Sequence, residues 1–316
     1  MSKKINLVII GAGKIAEEHL KVISTLKELN VLCICSRTTS KAKILSNKYK
    51  VKNYSTDAKF FIKKNRKIID GIMILVSVDQ IYKVSKSLSI FSIPLFIEKP
   101  PSLSLYNLIN LKEIIHKYNV PNMIGMNRRF YSIFEKGKNI INENGGLFSV
   151  VIEGHERLNE IEKYYPKKIL NKWLYANSCH TLDLIRFFGG EIDSFNFHKN
   201  SQIIENGDHF SCSFKFISGA TGTYISNWLS PGGWSVRLYS KNVKVVFQPL
   251  EKGYVLWNNG KKKTLLPSIN DVNFKPGFYK QIKSFIDLIR YKKNIYPSQN
   301  IKQIIKTFNI IEKISG

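Results

Sequence analysis

Residues 5–16 read Ile5-Asn6-Leu7-Val8-Ile9-Ile10-Gly11-Ala12-Gly13-Lys14-Ile15-Ala16, and the fold turns on them. A short, nearly continuous apolar run is what a parallel strand covered on both faces needs. The residues that follow spell Gly-x-Gly-x-x-Ala and open a helical stretch that runs to Leu26. Between a strand and a helix this is a dinucleotide-binding fingerprint. Gly11 permits the tight turn, Gly13 lets a pyrophosphate approach the backbone, and Ala16 keeps helix and strand close. The helix start at Lys14 and Ile15 then offers backbone N–H groups to phosphate.

The pattern continues outward from this turn. A second apolar strand, Val31–Cys35, completes a βαβ unit. A helix from about Lys41, a strand near Val51–Tyr54, a helix near Ala58–Lys64 and the strand Ile72–Val76 follow. A further helix near Gln80–Ser89 leads to the strand Leu95–Ile97. Such alternation predicts a doubly wound parallel sheet of the Rossmann type. Val76 and Ser77, where the fourth strand ends, are expected on the cofactor side. At the end of the second strand stand Ser36, Arg37 and Thr38, where an NAD site usually places Asp or Glu. A carboxylate there would repel a 2′-phosphate, whereas a guanidinium flanked by hydroxyls would hold it. NADP is therefore favoured over NAD, although Arg also stacks on adenine in NAD sites.

The chain has 316 residues and a net charge of +26. At about 100–200 residues per domain the length predicts two domains. The charge raises nucleic acid or an acidic membrane surface as a partner. However, residues 1–120 and 121–316 carry +13 each, and the longest basic run is Lys261-Lys262-Lys263 beside Asn258-Asn259-Gly260, a hairpin signal. The excess reads as a lysine-rich solvated surface, with neither nucleic acid nor membrane as partner. No apolar run reaches the roughly 20 residues of a membrane-spanning helix. The four cysteines form no Cys-x-x-Cys pair and no zinc spacing appears, so buried thiols, no metal and a cytoplasmic location are expected.

In the second half a helical stretch to Ile141 ends at Asn144-Gly145-Gly146. The alternating segments Leu147–Ile152, Phe210–Phe216, Thr221–Asn227, Val236–Tyr239 and Val243–Phe247 read as strands, and helices return near Tyr279–Tyr291 and Ile301–Ile314. His180 opens the helical segment Cys179–Phe188, with Asp183 one turn on. An imidazole, with an ordinary pKa of about 6.5, suits proton exchange near neutrality.

The fingerprint, Glu98-Lys99-Pro100 after the fifth strand, Met126-Asn127-Arg128-Arg129-Phe130, and His180-Thr181-Leu182-Asp183 together resemble the glucose–fructose oxidoreductase/inositol dehydrogenase (Gfo/Idh/MocA) family. The resemblance implies an α/β protein. A Rossmann domain (1–126) would be followed by an α/β domain with an open, mainly antiparallel sheet (127–316) for catalysis and oligomer contacts, in a homodimer or homotetramer. It implies hydride transfer between nicotinamide and a hydroxyl or keto carbon of a sugar, cyclitol or nucleotide-linked sugar. Lys99 would supply positive charge, His180 would act as general acid/base, and Glu98 would position backbone and cofactor. Asp183, which could also orient the imidazole, Asn177, Arg128 and Arg157 would meet the substrate, and Trp173, Trp228 and Trp234 could offer platforms to a sugar face. Many members carry Asp four residues before the His; here Ala176 stands there, leaving Tyr175 or Glu153 as substitutes. That departure motivates a rival reading, a non-catalytic dinucleotide-binding sensor or partner subunit.

Overall fold

The structure is a computed structural model and describes residues 4–316. Its first unit comprises residues up to Asn127 together with Asn273–Ile305. Strand β1 (Ile5–Ile10) leads into α1 (Lys14–Ile23), then β2 (Leu29–Cys35), α2 (Thr39–Lys48), β3 (Asn53–Ser55) and α3 (Ala58–Asn65). The second half of the winding is β4 (Gly71–Ile74), α4 (Ile81–Leu88), β5 (Leu95–Ile97), α5 (Leu105–Lys117) and β6 (Asn122–Ile124). All six strands are parallel in the order β3-β2-β1-β4-β5-β6. Strand order reverses between β1 and β4, and at such a switch point the loops beyond the strand ends part to leave a crevice. Ile72, Met73, Ile74, Leu95, Phe96 and Ile97 are all fully buried, as strands covered on both faces require.

The second unit comprises Arg128–Val272 and Lys306–Gly316. The division therefore departs from the continuous 127–316 domain read from the sequence. Residues 273–305 return to the first unit because the inward face of the helix Phe278–Tyr291 packs on α1, and the helix Ile301–Ser315 carries the boundary. Here α6 (Ser132–Glu143), β7 (Ser149–Gly154), α7 (Leu158–Ile161), α8 (Lys167–Leu170), a π-helical turn at Leu174–Ser178 and α9 (Cys179–Gly189) precede a run of strands. These are β8 (Ile192–Asn200), β9 (His209–Phe216), β10 (Thr221–Asn227), β11 (Trp234–Ser240), β12 (Val243–Phe247), β13 (Gly253–Trp257) and β14 (Lys262–Leu265). The sheet runs β14-β13-β12-β11-β7-β10-β9-β8, antiparallel except between β7 and β10. Helix α9 lies against β7 and β10, and its C-terminal Gly189 meets the end of β9 so closely that a Cβ there would stand 2.0 Å from the Phe216 ring. The opposite face is open along β9, where Ser211, Ser213 and Lys215 are exposed. All four cysteines are buried free thiols. No described helix is long and apolar enough to cross a membrane.

Candidate active site

The strand ends at the switch point open into a cavity of about 720 Å3. Gly11, at φ +120°, is mandatory: a Cβ would lie 2.2 Å from the Leu75 carbonyl oxygen. Gly13 is different. Its backbone is ordinary for a helix cap, at φ −97°, no side chain caps the helix start, and nothing lies within 4 Å of where its Cβ would be. Open space above a bare backbone at a helix N-terminus is what a pyrophosphate needs. Lys14, Ile15, Ser36, Arg37, Thr38, Val76 and Ser77 all line this cavity. Arg37 and Thr38 are exposed at the end of β2, while Ser36 turns its hydroxyl to accept from the Thr38 N–H (3.3 Å). The groups present therefore fit a dinucleotide: an uncapped helix start for the pyrophosphate and a cation with hydroxyls for the adenosine end. Asp79, unassigned from sequence, lies on the loop after β4; hydrogen bonding by Gln80 (2.6 Å) leads the effects that hold its carboxyl below the ordinary range, with Arg37 contributing.

Lys99 follows β5 and is half-buried, while Glu98 and Pro100 on either side are buried. The Glu98 carboxylate turns inward onto Gly125, where a Cβ would come within 2.8 Å of Oε2.

In the second unit His180 is the second residue of α9 and 2% exposed. Its ring lies 6.1 Å from that of Trp234, over which the Arg128 guanidinium sits at 4.3 Å. Trp234 and Arg128 are half-buried, and Arg128 Nε is buried with no hydrogen-bond partner. Trp228 lies in the core, its indole N–H donating to Ser226 (2.9 Å), and Trp173 is buried too. Of the three tryptophans read as platforms, Trp234 alone is not buried, and it lies beside His180.

Three site readings meet partners within the fold. Asp183 is 1% exposed and receives a bidentate pair from Arg129 (Nε at 2.6 Å, Nη2 at 3.0 Å) and the Thr307 hydroxyl (3.0 Å). The pair ties α9 to Arg129, so this buried carboxylate has a structural engagement that the helix spacing did not announce. Asn177 donates to both Glu156 oxygens (3.2 Å each), and Ser178 donates to the same carboxylate (2.9 Å). The proposed stand-ins for the missing Asp are engaged elsewhere, Tyr175 with Glu312 and Glu153 with Ser235 (2.8 Å) and Arg237 (3.0 Å). The buried carboxylate beside the residues preceding His180 is Glu156, 5% exposed, which no sequence spacing connected to the histidine. Arg157 is exposed at the start of α7.

Strand order, fingerprint turn and switch-point cavity define a dinucleotide-binding α/β protein. Residues 5–126 match the family model described as oxidoreductase family, NAD-binding Rossmann fold (Gfo/Idh/MocA). A stretch of 147 residues is 29% identical to the uncharacterized oxidoreductase YrbE of Bacillus subtilis, covering 46% of this chain and 42% of that protein. The match thus spans less than half the length of that curated relative. An oxidoreductase from Agrobacterium radiobacter, solved in complex with NAD+, L-tartaric acid and magnesium, superposes with a TM-score of 0.81 at 15% identity, over 98% of this chain and 95% of that one. UDP-N-acetylglucosamine 3-dehydrogenase from Acidithiobacillus ferrooxidans superposes with a TM-score of 0.78 at 10% identity, over 99% and 97%. At such identities the likenesses establish the shared fold.

Proposed function

We propose that the chain is an NADP(H)-preferring oxidoreductase that interconverts a hydroxyl and a keto carbon of a sugar, cyclitol or nucleotide-linked sugar. The observation that carries this reading is the open backbone at Gly13 within a cavity that ends on Ser36, Arg37 and Thr38. When bound, the nicotinamide ring supplies or accepts the hydride. Lys99 stabilises the oxygen as negative charge develops on it, a role that a preformed ammonium performs without reorganisation. His180 takes the hydroxyl proton in oxidation and returns it in reduction. Trp234 offers its face to the sugar ring, and Arg128 meets anionic or hydroxyl groups on the substrate. A homodimer or homotetramer formed through the open sheet face completes the proposal.

The test is a nicotinamide-fluorescence titration with NADPH and NADH. Wild type is expected to bind NADPH more tightly, and Arg37→Asp to lose NADPH affinity while NADH is little changed. Equal losses for both would remove the 2′-phosphate assignment. Ala176, together with the consumption of Asp183 by Arg129, favours a second reading, a dinucleotide sensor without turnover. Cofactor binding without turnover across a broad sugar and keto-sugar panel would decide for it.

A further inference from the structure

The inward face of α1 is Ala16, Leu20, Val22 and Ile23, with one polar exception, His19, which is wholly buried. Its ring lies between those of Phe96 (5.0 Å, edge-on) and Phe278 (4.5 Å), and neither ring nitrogen makes a hydrogen bond. Leucine would fill such a place at lower desolvation cost, so packing alone does not account for an imidazole. What distinguishes the position is Glu98: its Oε2, also buried and without a hydrogen bond, stands 3.5 Å from His19 Nε2. Two costly polar groups from elements far apart in sequence converge on each other, and Gly125 lacks the Cβ that would displace the carboxylate. A contraction of a few tenths of an ångström makes the contact an N–H···O hydrogen bond.

We propose that His19 is a positioning residue: through Glu98 it fixes the turn that carries Lys99 with respect to α1, the helix whose N-terminus opens on the cofactor cavity. The backbone of this turn is also hung on the sheet, since the Glu98 N–H donates to the Ile74 carbonyl (3.0 Å) and the Gly125 N–H to the Ile97 carbonyl (2.8 Å). The sheet bonds hold the height of the turn, and the His19–Glu98 contact holds its lateral position. The inference rests on the reading of Lys99 given above, but its physical content, a turn pinned by a buried imidazole, is separately measurable.

Hydrogen exchange on the full chain without cofactor, resolved at the amides of Glu98, Lys99 and Ser102, tests it. His19→Leu and Glu98→Gln should each speed exchange there about tenfold or more, leaving β1 and α1 protected, and the double variant should be no faster than either single one. His19→Gln, which keeps a side-chain N–H donor, should recover most of the protection. NADPH affinity read by nicotinamide fluorescence should weaken severalfold in the unrescued variants. Unchanged exchange at the turn, equal loosening of α1 and β1, or additive effects of the two substitutions would each overturn the proposal. Absence of turnover in a wild-type protein with these exchange properties would defeat the oxidoreductase reading instead and leave the pinned turn standing.

Discussion

His180 and Asp183 share one helix turn, yet the fold gives them different work. The imidazole lies 6.1 Å from the Trp234 ring, whereas the carboxylate is clasped by Arg129 and Thr307. Sequence spacing told that both lie on one helical face and could not tell which neighbour each would meet. The guanidinium that captures Asp183 lies 54 residues earlier, and no local pattern announces it. His19 was not singled out from the sequence, because its meaning depends on Glu98 arriving from another strand. For His180 the expected outcome is specific. His180→Ala should lower turnover by about two orders of magnitude or more, while cofactor affinity by fluorescence titration stays near that of wild type. Turnover within a few-fold of wild type would withdraw the residue from acid–base chemistry.

Among elements, α9 is held from two sides. Gly189 lets it settle on Phe216, and Arg129 binds Asp183 from the turn that leads into α6. Removing one partner of a buried pair leaves the other charge unmatched, so Asp183→Asn should cost about 3–5 kcal/mol in chemical denaturation. Replacing both members by apolar residues, Arg129→Met with Asp183→Leu, should recover much of that loss, and a double variant as unstable as the single one would contradict the pairing account. On α6, Lys138 is pushed down from about 10.5 to about 8 by burial, with Arg129 adding repulsion. Because its folded pKa is depressed, the unfolded chain binds more protons between about pH 8 and 10.5, and Lys138 destabilises the fold most below pH 8. Lys138→Met should therefore raise the melting temperature at pH 7, and the gain should shrink as pH approaches 10; a gain that grows with pH would reverse the sign. Strands were readable where one face is buried, as in β9. They were not where neither is: β8 is an edge strand exposed along most of its length, so it shows no alternation.

For the whole molecule, the first sheet was legible because its strands are apolar throughout and each is followed by a helix, leaving little freedom of topology. The return of residues 273–305 to the first unit was not, because periodicity marks a helix without saying which core it covers. The charge of +26 acquires a narrower meaning: most of it is solvated lysine, and the part the proposed function draws on is Arg37 in the switch-point cavity, Lys99 after β5 and Arg128 over Trp234. The central claim is that these cations serve a hydride transfer, and isotope transfer reads it directly. The protein is incubated with NADPH deuterated at nicotinamide C4 and a panel of keto-sugars and nucleotide-linked keto-sugars, and the products are weighed by mass spectrometry. The account predicts a deuterated alcohol from at least one of them, lost in Lys99→Ala and His180→Ala. Tight NADPH binding with no deuterium in any product would contradict it.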